Sequence, residues 1–93
     1  MTQVTLKFTG EVWARMRSYQ MDFKFEGATL ADLLKALFVQ YELRDLVLDG
    51  DGQFIPRSGV LVNGRSAKYL GALAASIREG DEVIIMRPSV AAI

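Results

Sequence analysis

The segment Thr29–Tyr41, TLADLLKALFVQY, restricts the fold of this chain more than any other. Its apolar residues recur at spacings of three and four, which places them in one stripe along a helix: Leu30, Leu33, Leu34, Leu37, Phe38 and Tyr41. Thr29 is a favourable N-cap, and the carboxylate of Asp32, three residues later, can reach back to free backbone N–H groups. The sequence therefore predicts one main helix that buries a single face against another layer.

Two segments before this helix alternate between apolar and polar residues, which is the period of a half-buried strand. The apolar members are Val4, Leu6 and Phe8 in the first segment, and Met21, Phe23 and Phe25 in the second. Residues 11–17 between them, EVWARMR, are predicted to be a connection. Its Trp13 and Met16 either cover the core, which is the preferred interpretation, or form an exposed contact patch. The two strands are therefore expected to form a hairpin.

The second half of the chain supplies further strands. Val60, Leu61 and Val62 form a short apolar run that ends in Asn63-Gly64, a pair typical of hairpin turns. Glu82–Met86 has a continuous apolar centre, which predicts a central strand buried on both faces and lying beside the first strand. These elements predict an α+β chain with a β-grasp (ubiquitin-like) fold, in which one main helix crosses a mixed sheet of four to five strands. Residues 1–93 are expected to form a single domain.

The composition excludes several kinds of function. The chain has neither cysteine nor histidine, so it lacks disulfides, thiol nucleophiles and the commonest general base. Eleven basic residues balance eleven acidic ones without a basic run, which argues against nucleic acid as the main partner. No apolar segment approaches the roughly 20 residues that span a bilayer. We therefore expect a cytoplasmic protein that is not an enzyme and has no cofactor or membrane partner.

Three motifs in the second half resemble the MoaD/ThiS family. They are VLVNGR at Val60–Arg65, YLGAL at Tyr69–Leu73 and IREGDEVIIMRP at Ile77–Pro88, and the predicted helix precedes them as it does in that family. The family consists of small β-grasp sulfur carriers of molybdopterin and thiamine synthesis, and archaeal ubiquitin-like modifiers are similar. The resemblance covers nearly the whole chain.

The C-terminal tail differs from the family pattern. Family members end in a Pro-Pro-x-x-Gly-Gly type sequence, whose last glycine is adenylated and then converted to a thiocarboxylate. When the tail is aligned on Pro88, Arg87 replaces the first proline, Ala91 and Ala92 replace the two glycines, and Ile93 is an additional residue.

In the family, the tail inserts into a larger synthase subunit and the sheet packs on that partner. The resemblance therefore implies a larger protein partner for this chain, of the synthase or activating-enzyme kind. It also implies a docking surface on the exposed sheet face. The predicted partner-binding tail consists of Arg87, Pro88, Ser89, Val90, Ala91, Ala92 and Ile93.

Three functions remain open at this stage. The chain is a MoaD-like binding protein that carries no sulfur, a working sulfur carrier or modifier, or an independent enzyme. The absence of a catalytic constellation argues against the third. Whether the protein self-associates is also left open by the sequence.

Other polar groups have simpler interpretations than a functional site. Asp49 and Asp51 are spaced as in a calcium loop, but the rest of that ligand pattern is missing, so a solvated turn is predicted. A turn likewise explains Asp81 and Glu82 better than a pair of acid–base carboxylates. Scattered surface charge is the preferred interpretation of the remaining basic residues considered, Arg57, Arg65, Lys68 and Arg87.

Overall fold

Five strands and three helices follow one another in a computed structural model that describes residues 1–88. The strands are β1 (Thr2–Thr9), β2 (Gln20–Phe25), β3 (Gly59–Val62), β4 (Arg65–Ser66) and β5 (Glu82–Arg87). The helices are α1 (Gly10–Met16), α2 (Leu30–Gln40) and α3 (Arg44–Val47), and two 3₁₀ turns lie at Ala67–Tyr69 and Ala72–Ala74. The predicted main helix and four to five strands are thus confirmed.

The sheet has the order β2-β1-β5-β3-β4. β1 pairs antiparallel with β2 and parallel with β5, and β5 pairs antiparallel with β3. The last strand therefore lies at the centre beside the first, as the sequence predicted. This mixed sheet crossed by α2 is the β-grasp arrangement.

The helix α2 begins at the predicted cap. The Thr29 hydroxyl accepts a hydrogen bond from the backbone N–H of Asp32, and the Asp32 carboxylate accepts from the N–H groups of Ala28 and Thr29. This capping box satisfies backbone donors that a helix leaves free at its first turn. The apolar stripe of α2 packs against the sheet and is buried at Leu30, Leu33, Leu34 and Leu37.

The capping box also makes the stability of the fold depend on pH. The backbone N–H of Ala28, and then the hydroxyl and N–H of Thr29, lower the pKa of Asp32 below its ordinary value of 3.8. A carboxylate with a lowered pKa in the folded state stabilises the fold above its unfolded pKa and loses that contribution as pH falls. We expect Asp32→Asn to be less stable than the wild-type protein at neutral pH and to approach it in acid below about pH 4. Urea melts at a series of pH values measure this difference, with the exposed Asp22→Asn as a control for the lost charge; a difference that stays constant with pH would contradict it.

The connection between β1 and β2 differs from the prediction, because residues 10–16 form the helix α1. Glu11 lies in its first turn and Arg15 in its last turn, a charge order that complements the helix dipole. Val12 is buried, and Trp13 and Met16 are half-buried against the core, so their predicted packing role is confirmed. The Trp13 ring stacks on that of Tyr19 with centroids 5.3 Å apart.

The burial of β5 also differs from the prediction. Val83 and Ile85 are buried, whereas Ile84 between them is only half-buried. The reason is that α2 covers one face of the sheet, and the other face has no covering layer among residues 1–88. Ile84 therefore belongs to the continuous apolar run in the sequence, although its side chain lies on the uncovered face and not in the core.

Both predicted turns are present. Asn63 and Gly64 have φ values of +50° and +83°, as a two-residue hairpin between β3 and β4 requires. In the loop after α3, the Asp49 carboxylate accepts hydrogen bonds from the N–H groups of Asp51 and Gln53. Asp49 therefore closes a turn, as predicted. None of the helices described is long and apolar enough to cross a membrane.

Candidate functional site

The predicted partner-binding tail begins where the central strand ends. β5 finishes at Arg87, and Pro88 follows it in an exposed position. We call Arg87 and Pro88 the tail root. The other predicted tail residues, Ser89–Ile93, lie outside the described residues.

Contacts from two helical segments fix the side chain of Arg87. Its Nε lies 3.4 Å from the Glu11 carboxylate of α1. Its Nη1 donates hydrogen bonds to the carbonyls of Asp45 and Leu46 in α3, at 3.3 and 3.4 Å. The side chain is 27% exposed, which leaves these contacts partly shielded from water. Arg87 thus holds the end of β5 between α1 and α3.

A second arginine joins the same two helices. Nη1 of Arg15 donates to the Asp45 carboxylate at 2.6 Å and to the carbonyl of Glu42 at 2.8 Å. The hydrogen bond from Arg15 lowers the pKa of Asp45 and raises that of Arg15 itself. Because both side chains are well exposed, the pair contributes little stability; it links α1 to α3 beside the tail root.

The backbone of the tail root is packed closely against the start of α1. Gly10 and Arg87 form a parallel bridge, and Gly10 has a φ of +62°. A Cβ at position 10 would lie 2.0 Å from the Arg87 carbonyl oxygen and 3.2 Å from the Pro88 Cα. Only glycine therefore fits here without displacing the tail root.

The uncovered side of the sheet lies beside the tail root. We call this surface the open sheet face and define it by Lys7, Leu61, Ile84 and Met86, which alternate with buried neighbours on their strands. Leu61 is opposite Ile84 across the β3–β5 pair, and Lys7 pairs with Glu82 at 3.0 Å. The face thus combines a half-buried apolar centre with a charged border, a composition typical of protein-binding surfaces.

The remaining polar groups singled out in the sequence form no second site. Asp81 accepts hydrogen bonds from the Asn63 amide and the Arg78 backbone, while Glu82 turns to Lys7, so the two carboxylates serve separate structural contacts. Within residues 1–88, no group of three acidic side chains could hold a metal ion.

The four basic residues considered together do not share one site. Arg57 and Lys68 line one depression and Arg65 lines another, while Arg87 is held by Glu11. This arrangement agrees with scattered surface charge, the interpretation preferred from the sequence.

Sequence reasoning missed the residues that fix the tail root. Glu11 is 76 positions from Arg87, and the α3 carbonyls belong to backbone, so no local pattern indicates either contact. One local signal could have indicated the helix α1. Glu11 and Arg15 are four residues apart, a spacing that places both on one face of a helix.

The amino-acid sequence is similar to a known protein family and to two of its relatives. Residues 12–89 match the ThiS family. A protein of Archaeoglobus fulgidus named "Putative sulfur carrier protein" is 35% identical over 80 residues, which cover 84% of this chain and 89% of the relative. Small archaeal modifier protein 3 of Haloferax volcanii is 33% identical over 63 residues, 68% of each chain.

The fold is likewise similar to a solved structure. The crystal structure of small archaeal modifier protein 1 from H. volcanii superposes with a TM-score of 0.80 at 26% identity, covering 95% of this chain and 99% of that one. The match over residues 12–89 includes α2, the strands β2 to β5 and the tail root. The chain therefore belongs to the ThiS family of small ubiquitin-like proteins.

Proposed function

We propose that this chain acts by binding a larger protein partner, without catalysing a reaction or carrying sulfur itself. In this proposal the tail, Arg87–Ile93, docks in the partner, and the open sheet face packs on the partner's surface. A cytoplasmic location belongs to the same proposal. The observation that carries it is the anchoring of Arg87 by Glu11 and by the α3 carbonyls, which gives the tail a fixed point of departure.

The position of the open sheet face supports joint contact with one partner. Met86 lies on this face one residue before the tail root, and Ile84 and Leu61 continue the apolar surface across β5 and β3. A partner that holds the tail therefore has apolar surface of this chain directly beside it. Burial of such surface contributes roughly 25 cal/mol per Å² before the costs of association.

The residues at positions 91 to 93 argue against adenylation and sulfur transfer at the C-terminus of this chain, since the family pattern has glycines there. A diglycine passes through a narrow channel because it lacks Cβ atoms. Ala91 and Ala92 add two methyl groups, and Ile93 adds a stiff β-branched side chain. Overpacking a rigid site usually costs about 1–3 kcal/mol. Removal of Ile93 alone would expose Ala92 rather than a glycine.

A second candidate function is that of a sulfur carrier or ubiquitin-like modifier activated at its C-terminus. Membership of the ThiS family favours it, as do relatives named as a sulfur carrier and as a modifier. The two candidates share the fold and the tail root. They differ in whether the tail is a substrate for an activating enzyme.

Intact-mass spectrometry distinguishes the two functions. The purified protein is incubated with an activating enzyme of the family, ATP and a sulfur donor. We expect no mass gain from replacement of one carboxylate oxygen by sulfur, because the alanines and Ile93 keep the tail out of a site built for glycine. The variant with Ala91→Gly, Ala92→Gly and Ile93 deleted is expected to show the gain.

The matched control is the same variant with Arg87→Ala, which keeps the glycines but loses the anchoring contacts of the tail root. Its yield is expected to fall below that of the variant with Arg87. A thiocarboxylate on the unchanged chain would overturn the proposal and establish the carrier function.

A further inference from the structure

An apolar groove of about 310 Å³ lies along α2 and shares no lining residue with the tail root or the open sheet face. Its apolar lining comes from α2, from the residue that follows α3 and from the second 3₁₀ turn: Ala31, Leu34, Phe38, Val39, Leu48 and Leu73. Val39 is 82% exposed, whereas Leu34 is buried and Phe38 is half-buried. A contiguous apolar surface of this kind is typical of a binding site.

The two charged residues that line the groove are both basic, and the carboxylate of Asp32 lies near one of them, Lys35. Lys35 and Arg44 are its only lining residues that are not apolar, and neither is within ion-pair distance of a carboxylate among residues 1–88. Lys35 and Arg44 are both exposed. The electrostatically complementary partner therefore carries carboxylates beside an apolar surface.

The groove is suited to a helix rather than to an extended segment. No strand residue lines it, so an extended segment would place its backbone N–H and C=O groups against apolar side chains without partners. A helix satisfies these groups internally. The lining residues of α2 extend from Ala31 to Val39, about 12 Å at 1.5 Å per residue, which is long enough to contact residues i to i+7 of a partner helix, about 10.5 Å apart.

We propose that this groove binds an amphipathic helix of a partner protein. The apolar face of that helix carries residues at i, i+3 or i+4, and i+7, and Asp or Glu side chains flank this face and pair with Lys35 and Arg44. The proposal goes beyond the proposed function, because it uses a surface that shares no residue with the tail or the open sheet face.

A selection from a display library of helical peptides tests it. The library fixes apolar residues at i, i+4 and i+7 and randomises the flanking positions among Glu, Lys, Ser and Gln, and the full-length protein is the immobilised target. We expect enrichment of Glu at the flanking positions. Against the double variant Lys35→Glu, Arg44→Glu the same library is expected to enrich Lys instead.

Point variants then locate the binding surface. Val39→Glu is expected to weaken binding of the selected peptide by about tenfold or more, a change that corresponds to about 1.4 kcal/mol. Tyr69→Glu is the matched control, since Tyr69 is an equally exposed apolar residue (80%) outside the groove, and its affinity should stay within about twofold. Deleting residues 90–93 would abolish the docking of the proposed function but should leave this peptide binding unchanged.

Four outcomes would overturn the proposal. Enrichment that is equal on the wild-type and Val39→Glu proteins would place the peptide elsewhere. Enrichment of Lys on the wild-type protein would contradict the charge argument. Binding that appears only after residues 89–93 are deleted would identify the chain's own tail as the occupant. Self-association that Val39→Glu abolishes would identify a second copy of the chain.

Discussion

Leu37→Ala is expected to lower the free energy of unfolding by about 2–5 kcal/mol, the range for truncation of a buried leucine. Leu37 is fully buried on the stripe of α2 that packs against the sheet. Alanine would remove apolar contacts and leave a cavity that the surrounding rigid layers fill only partly. Leu34→Ala, also at a buried position, is expected to have an effect in the same range.

Val39→Ala is the matched control, because it shortens an apolar side chain on the same helix at an exposed position. Its effect should remain within about 0.5 kcal/mol. Denaturant melts of the three variants measure the difference. Changes below about 0.5 kcal/mol at both leucines would show that the buried face of α2 is wrongly assigned.

Gly10→Ala is expected to destabilise the fold and to displace the tail root. The φ of +62° alone costs a residue with a side chain about 1–2 kcal/mol. In addition, the new Cβ would lie 2.0 Å from the Arg87 carbonyl oxygen, and a backbone atom cannot move aside as a flexible side chain can. The strand end, and with it the departure point of the tail, must shift to relieve this collision.

Gly52→Ala separates the two contributions. Gly52 has a similar φ of +78°, but no atom lies within 4 Å of the position of its Cβ. Thermal or denaturant unfolding should therefore show a larger loss for Gly10→Ala than for Gly52→Ala. Amide NMR shifts should change at Met86 and Arg87 only in the first variant. Equal losses in the two variants would contradict the close packing of Gly10 on the tail root.

The sequence was sufficient to predict the structural elements whose signals lie within a few neighbouring residues. The stripe of α2, its Thr29–Asp32 cap and the Asn63-Gly64 turn depend on residues a few positions apart, and each is present as predicted. The central position of β5 was also predicted correctly, from the continuous apolar run of this segment.

The parts that escaped prediction depend on distant neighbours. The apolar run at Val83–Ile85 could not reveal that Ile84 faces the uncovered side, since coverage depends on where α2 lies. The helix α1 presents one fully buried residue, Val12, and its apolar pattern is therefore weak. Arg87 was selected for its place in the tail, whereas its contacts with Glu11 and α3 arise only from the folded topology. The predicted role of Ser89–Ile93 stays a prediction.

The parallel pairing of β1 with β5 makes the order of synthesis important for folding. The first strand emerges from the ribosome early, but its central neighbour follows only at the end, at Glu82–Arg87. Because β5 lies between β1 and β3, the pairs β1–β2 and β3–β4 cannot join into one sheet before β5 is made, and their apolar faces are then incompletely covered. Such surface is prone to aggregation. A pause in synthesis before residue 82 would therefore prolong the time during which these apolar faces are exposed.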